Sequence, residues 1–129
     1  MDSFDISASG LSAQRARLDI LASNIANVET TRTPAGGPYR RLLPVFASRA
    51  KNPGGVEMIG IAVDPRDPRR VYQPGHPDAD ADGFVAYPNV NIVEEMVDLV
   101  SATRSYQANA AAYNAAKSMA QRALDLGRA

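Results

Sequence analysis

The sequence predicts an α+β chain in which long N- and C-terminal helices pair as a coiled coil around a small β-rich middle module. Two observations carry this. All nine prolines lie between Pro34 and Pro88, and seven of the nine glycines lie between Gly36 and Gly83. A proline in a helix interior costs about 3 kcal/mol, so long helices are confined to the ends. Both ends also space their apolar residues alternately by four and by three, the seam of a coiled coil. The division that follows is an N-terminal helix over 1–28, a β and loop module over 29–88, and a C-terminal helix over 89–129. The two helices together form one discontinuous core domain.

The first helix is expected from Ser3 to Val28, with Phe4, Ala8, Leu11, Arg15, Leu18, Ala22 and Ile25 on its seam. Thr30, Thr31 and Thr33 favour an extended exit. The strand candidates are Arg40 to Phe46, Val56 to Val63, Arg69 to Tyr72 and Phe84 to Tyr87. The GGP, NPGG, DPRDP and PGHPDADADG segments that separate them are turn chemistry. Pro44 marks its strand as an edge or a bulge. Asn91 can cap the last helix, with Glu94 three residues on. No breaker follows from Ile92 to Leu126, and Gly127 offers a stop. Its seam runs through Ile92, Met96, Leu99, Thr103, Tyr106, Ala110, Tyr113, Lys117, Ala120 and Leu124. At 1.5 Å per residue such a helix is about 50 Å long, more than so small a chain can cover. It needs a partner. Six alanines between Ala108 and Ala116 present a surface small enough for another helix to approach closely.

Composition narrows the function. Fourteen basic and fourteen acidic residues balance over 129 residues, and no stretch forms a basic stripe, so the footprint of nucleic-acid binding is missing. No cysteine is present to make a disulfide or a thiolate metal site. No apolar run of about 18 residues exists, so no direct membrane span is expected. The N-terminus starts with acids and has no continuous apolar region of the kind a general secretory signal peptide carries.

His76 stands beside Asp78, Asp80 and Asp82, whose spacing copies the first half of a calcium loop. Position 12 of that loop is Asn89 rather than the required Glu, so a turn built on Asx side chains is the expected reading, with no metal and no cofactor. No strained nucleophile elbow or phosphate loop appears, and no enzymatic activity is expected. Tyr39, Arg40 and Arg41 at one edge of the middle, and Arg69, Arg70 and Tyr72 at the other, pair residue types common at protein interfaces. From spacing alone, a coiled-coil adaptor and a calcium-binding module stand as alternatives to a structural subunit.

Residues 8–33 resemble the N-terminal motif of bacterial flagellar rod and hook proteins, in which an apolar helix ends in Asn24, Ile25, Ala26 and Asn27. GGPYRR, VYQPGHPDADADGFV and the segment from Tyr87 to Arg128 resemble the proximal rod members of that family more narrowly, while residues 44–67 match only loosely. The resemblance implies a non-enzymatic structural subunit of the basal-body rod, the periplasm-crossing drive shaft that carries motor torque to the hook. It implies packing through Leu11, Leu18 and Ile25 of the first helix and Ile92, Met96, Leu99, Tyr106, Tyr113 and Leu124 of the second. Tyr39, Arg40, Arg41, Tyr72, His76, Asp78 and Asp80 would be contacts of the middle module. The implied partners are other copies of the chain, other rod proteins, the basal adaptor at the membrane ring and the flagellar type III export machinery. Export would proceed without a cleaved signal peptide.

Overall fold

The structure, a computed structural model, describes residues 2–50 and 54–128. Helix α1 spans Asp2–Ala26, strands β1 to β4 span Leu42–Ser48, Val56–Val63, Arg69–Tyr72 and Phe84–Tyr87, and helix α2 spans Ile92–Arg128. Two long helices thus flank four short strands, as the distribution of proline requires. Three strands fall where the β-branched and aromatic runs predict them. The first begins two residues later than expected and runs to Ser48. Asn52 and Pro53 of the expected NPGG turn lie outside the described residues.

The strands form two separate antiparallel ribbons, β1 with β2 and β3 with β4, rather than one sheet. In the first ribbon Leu42 faces Val63 and Ser48 faces Val56, with the register slipping between Val45 and Phe46. The slip leaves Ile59 of β2 without a facing residue, two positions from the Pro44–Ile61 pair. A two-stranded ribbon is marginal alone, and this one lies along α1. The Val56 N–H donates to Ser9 Oγ at 3.1 Å. Gly55 beside it has φ +109, and a Cβ there would collide with that same hydroxyl, so the approach needs glycine.

Helix α2 opens as its sequence predicts: Asn91 Oδ1 accepts from the N–H groups of Val93 at 3.0 Å and Glu94 at 3.3 Å. Its far end does not follow the expectation. Gly127 stays helical, and the helix continues to Arg128. A glycine stops a helix only where the next residues turn the chain back, and here it costs about 1 kcal/mol of propensity without ending the run.

The two helices run antiparallel. Asn24 meets Glu95, Arg17 lies 3.9 Å from Asp98, Gly10 abuts Asn109, and the rings of Phe4 and Tyr113 meet edge to face at 5.3 Å. The face each helix turns to the other takes in expected seam residues, Phe4 and Tyr113 in contact and Leu11, Leu18 and Leu99 half-buried, together with the positions one residue N-terminal of the seams. On α1 these positions are Gly10, Gln14, Arg17, Leu21 and Asn24; on α2 they are Glu95, Asp98, Ala102, Ser105, Asn109 and Ala116. A side chain leans back over the turn before its own Cα, so bulky residues mark a stripe offset from the line of closest approach. Small and polar residues make the closest approach, at Gly10 and Asn109, and the Phe4–Tyr113 ring pair lies further along. A Cβ on Gly10 would sit 3.0 Å from the Asn109 side chain, which is how near the helices come. The buried apolar core, among the described residues, is Ala13, Ile20, Leu21, Val85, Val90 and Ala102.

Beyond Tyr113, α2 extends fifteen residues to Arg128, and every residue from Gln121 to Arg128 is exposed. Helix without packing is marginal in water. In hydrogen exchange on the dilute chain, amides of residues 121–128 should exchange roughly tenfold or more faster than those of residues 99–109. Equal protection along the helix would contradict this.

Candidate assembly surfaces and the junction that orients them

The most buried polar groups meet where α1 ends, β1 begins and α2 starts. Asn24, fully enclosed, is placed there by the last turn of α1. Its Nδ2 donates to the Leu42 carbonyl at 2.9 Å, while its Oδ1 accepts the Leu42 N–H at 2.9 Å. One carboxamide therefore pairs with both backbone groups of the first residue of β1, as a neighbouring strand would. Tyr39 donates its hydroxyl proton to the same Oδ1 at 2.8 Å. That commits the Tyr39 proton, so Ser23 Oγ is the donor in the 3.2 Å contact between Ser23 and Tyr39. The Asn24 amide also reaches Glu95 Oε2 at 3.5 Å, at the edge of hydrogen-bonding range.

Glu95 is 1% exposed on the first turns of α2, and Arg41 Nε binds it. Arg41 also lies 3.3 Å from Asp64, on the segment leaving β2. Burial alone would lower the Arg41 pKa, but the hydrogen bonds and charges of Glu95 and Asp64 outweigh it and raise the value. Asp64 accepts further from the Arg66 N–H at 3.0 Å and from Arg66 Nη2 at 2.8 Å. The Arg66 guanidinium first, then its backbone N–H, hold the Asp64 carboxyl well below its ordinary 3.8. Asn24, Glu95, Arg41, Asp64 and Arg66 thus form one chain of contacts linking both helices to both ends of the first ribbon.

The acidic loop is held in the same manner. Asp78 accepts from Thr31 Oγ1 at 2.6 Å and pairs with Arg32, and its own N–H donates to His76 Nδ1 at 3.0 Å. Asp80 Oδ1 accepts from the N–H groups of Asp82 and Phe84, both at 2.9 Å, while Oδ2 meets Arg70 at 2.7 Å. These bonds depress both carboxyls, chiefly through Thr31 for Asp78 and through the Phe84 N–H for Asp80. The carboxylates of Asp78 and Asp80 are spent on arginines, a threonine and the local backbone, and Asp80 closes an Asx turn onto Asp82. Asp78 ties this loop to the segment that leaves α1.

The sequence-predicted site residues divide sharply. In the motif, Asn24 is buried, Ile25 half-buried and Ala26 exposed, and Asn27 Nδ2 donates to the Ser23 carbonyl at 2.8 Å, closing the last turn. Leu11, Leu18, Leu99 and Tyr113 are half-buried beside the helix contact, whereas Ile92, Met96, Tyr106 and Leu124 are exposed. Arg40 donates to the Arg66 carbonyl at 3.2 Å. Tyr72 is exposed and stacks edge-on to Phe84 at 5.3 Å. Glu95, Asp64, Arg66 and Ser9 were not singled out by the sequence. Glu95 left one trace: it is an acid on the helix face that turns inward.

On the side of α2 away from α1, Val93, Met96, Val97 and Val100 are 66, 50, 63 and 55% exposed. They line a shallow groove of about 320 Å³ with almost no polar wall. The spacing of three, four and seven makes them a single apolar stripe.

The fold defines a class: a chain of two long paired end helices with a small strand module clamped to them. Residues 4–32 match the family described as flagella basal body rod protein, and residues 81–126 match the C-terminal family of flagellar basal body rod FlgEFG proteins. The flagellar basal-body rod protein FlgC of Yersinia enterocolitica is 47% identical, covering 97% of this chain and 96% of the relative. FlgC of Borreliella burgdorferi is 44% identical over 95% of this chain and 93% of its own, and that of Bacillus subtilis 43% over 98% and 97%. The chain belongs to the FlgC family of flagellar basal-body rod proteins. It is a structural rod subunit of the flagellar basal body, in association with other rod components.

Two expectations follow for the junction. Asn24→Ala strands the Leu42 N–H and carbonyl together, and urea unfolding should show a loss of about 3 kcal/mol. A loss under about 1 kcal/mol would mean that water or a neighbour replaces the amide. Asp64 is depressed in the folded chain, so its contribution is complete above its ordinary pKa of 3.8 and is lost as pH falls through the folded value. Asp64→Asn should lower the melting temperature at pH 7 and make the acid side of the stability profile, scanned from pH 7 to 3, shallower than in the parent.

Proposed function

We propose that the chain builds the rod through the outward faces of its paired helices, and that the middle module sets the angle at which those faces are offered. The exposed stripe at Val93, Met96, Val97 and Val100 carries this reading, because an apolar helix face on an otherwise charge-balanced surface is stable only when covered. In this reading the two helices wind as a coiled coil once neighbours enclose them. Ile92, Met96, Tyr106 and Leu124 then contact adjacent subunits, while Leu11, Leu18, Ile25, Leu99 and Tyr113 flank the seam between the paired helices. The mechanism is mechanical: torque passes through packed helices from the motor to the hook, and no bond is made or broken.

The finer partners belong to the same reading. The chain leaves the cell through the flagellar type III machinery without a cleaved signal, crosses the periplasm as part of the rod and meets the basal adaptor at the membrane ring. Tyr39, Arg41, Asp78 and Asp80 act in it as clamps of the middle module, while the exposed Arg40 and Tyr72 are available to neighbours.

Val97→Asp tests the outward face without entering the fold, so the thermal stability of the purified chain should change by under about 0.5 kcal/mol. Cells carrying only this variant should export it yet fail to complete rods and fail to swim. Leu18→Asp and Leu99→Asp should block rod completion as well. Normal swimming with Val97→Asp would refute the role of the outward stripe.

A further inference from the structure

The two ribbons are held very differently. The first is clamped by Asn24 and Arg41, whereas the second packs along neither helix nor along the first ribbon, among the described residues. Among those residues, the hydrogen bonds and ion pairs that join residues 67–90 to the rest of the chain are the two made by Asp78. They go to Thr31 and Arg32, on the segment leaving α1. The placement of a whole ribbon thus leans on one carboxylate.

That carboxylate is presented by a turn built on His76, the chain's single histidine. The His76 N–H donates to the Gln73 carbonyl at 3.0 Å, and the Ala79 N–H donates to the His76 carbonyl at 3.1 Å. Between them, His76 Nδ1 accepts the Asp78 N–H at 3.0 Å. An accepting Nδ1 carries no proton, so the ring is neutral with its proton on Nε2. The charged and titratable groups about the ring come from four places. Asp78, Asp80 and Asp82 belong to its own loop, and Arg32 comes from the exit of α1. From β4 the Tyr87 ring stands edge-on at 6.3 Å, with its hydroxyl donated to Gln73. From β3, Arg69 lies over the Tyr87 ring and Arg70 is paired with Asp80.

From this arrangement we propose that His76 is a proton-sensitive latch, which in its neutral form shapes the loop that presents Asp78 to Thr31 and Arg32 and on protonation releases it. A proton on Nδ1 turns the acceptor into a second donor, set against the Asp78 N–H. The imidazolium is then drawn to the Asp78 carboxylate, which Thr31 and Arg32 already hold, and competes with them for it. Both effects act in one direction: they undo the turn and weaken the tie to α1. Histidine exchanges its proton between about pH 5 and 8, so mild acid is enough to open the latch. The second ribbon gains freedom when it opens, while the first keeps its clamp at Leu42. The device does not depend on the helix-face reading above.

NMR on the purified full chain tests this. Ring-nitrogen shifts report which nitrogen carries the proton, and amide exchange, corrected for its intrinsic rate, reports the Asp78 N–H. At about pH 8 Nδ1 should be bare and the Asp78 amide protected; at about pH 5 that protection should fall roughly tenfold. His76→Asn supplies an acceptor that closes the same kind of turn without titrating, so its Asp78 amide should stay protected at both values. His76→Ala should leave it unprotected at both. The Leu42 amide, bonded to Asn24, should respond in none of the three chains. Backbone order parameters of residues 76–82 should fall with the same midpoint as ring protonation. A proton on Nδ1 at about pH 8, a ring still neutral at about pH 5, or equal losses in the parent and His76→Asn would each overturn the latch. So would a protonated ring with the order of residues 76–82 unchanged.

Discussion

Everything in this fold hangs on the Asn24 carboxamide. A helix cannot hydrogen-bond to a strand through its own backbone, because its N–H and carbonyl groups are consumed internally. Asn24 overcomes this by offering a side-chain amide with the donor and acceptor geometry of a peptide. It closes the open edge of β1 at Leu42 and, through its second amide proton, touches Glu95 at the start of α2. No other common uncharged side chain of that length presents both functions. A carboxylate would lose the donor and a leucine would lose both, leaving two backbone groups buried and unpaired.

The ionic part of the junction follows from that placement. Glu95 is enclosed, and an enclosed carboxylate is tolerable only with a partner at hand. Arg41 reaches it because the backbone contact at Leu42 fixes the residue immediately before. Arg41 in turn holds Asp64, the first residue after β2, so the two strands of the first ribbon enter and leave through one cluster. Such a cluster adds little net stability compared with apolar packing, but removing one member leaves an uncompensated buried charge. Its effect is to fix direction: the ribbon has one permitted orientation relative to both helices.

The sequence made the architecture legible because proline and glycine are excluded from helices for local reasons that need no tertiary knowledge. Three strands and the Asn91 cap were read to the residue on the same kind of local signal. The junction was not legible in that way. Arg41 stands out as an interface residue and Asn24 as a motif residue, yet nothing local says that the two share Glu95, 54 and 71 positions further along the chain. The close approach of the helices was less legible, since bulky side chains dominate a hydrophobic pattern while the nearest contact is between Gly10 and Asn109. The carboxylates of the acidic loop could be read as turn formers, but their arginine partners come from Arg32 and Arg70, placed by folding alone.

The placement of apolar residues on α2 bears on how such a chain works. Small and polar residues between α1 and α2 let the helices lie close while Val93, Val97 and Val100 stay outside. The cost is a weak single chain, since apolar burial supplies most of the stability of a small domain. The gain on the assembly reading is conditional order: the same side chains that leave the free subunit marginal become its core when neighbours arrive. On that reading such a chain becomes stiff in place, because the free energy that rigidifies it is released by association and not by folding alone.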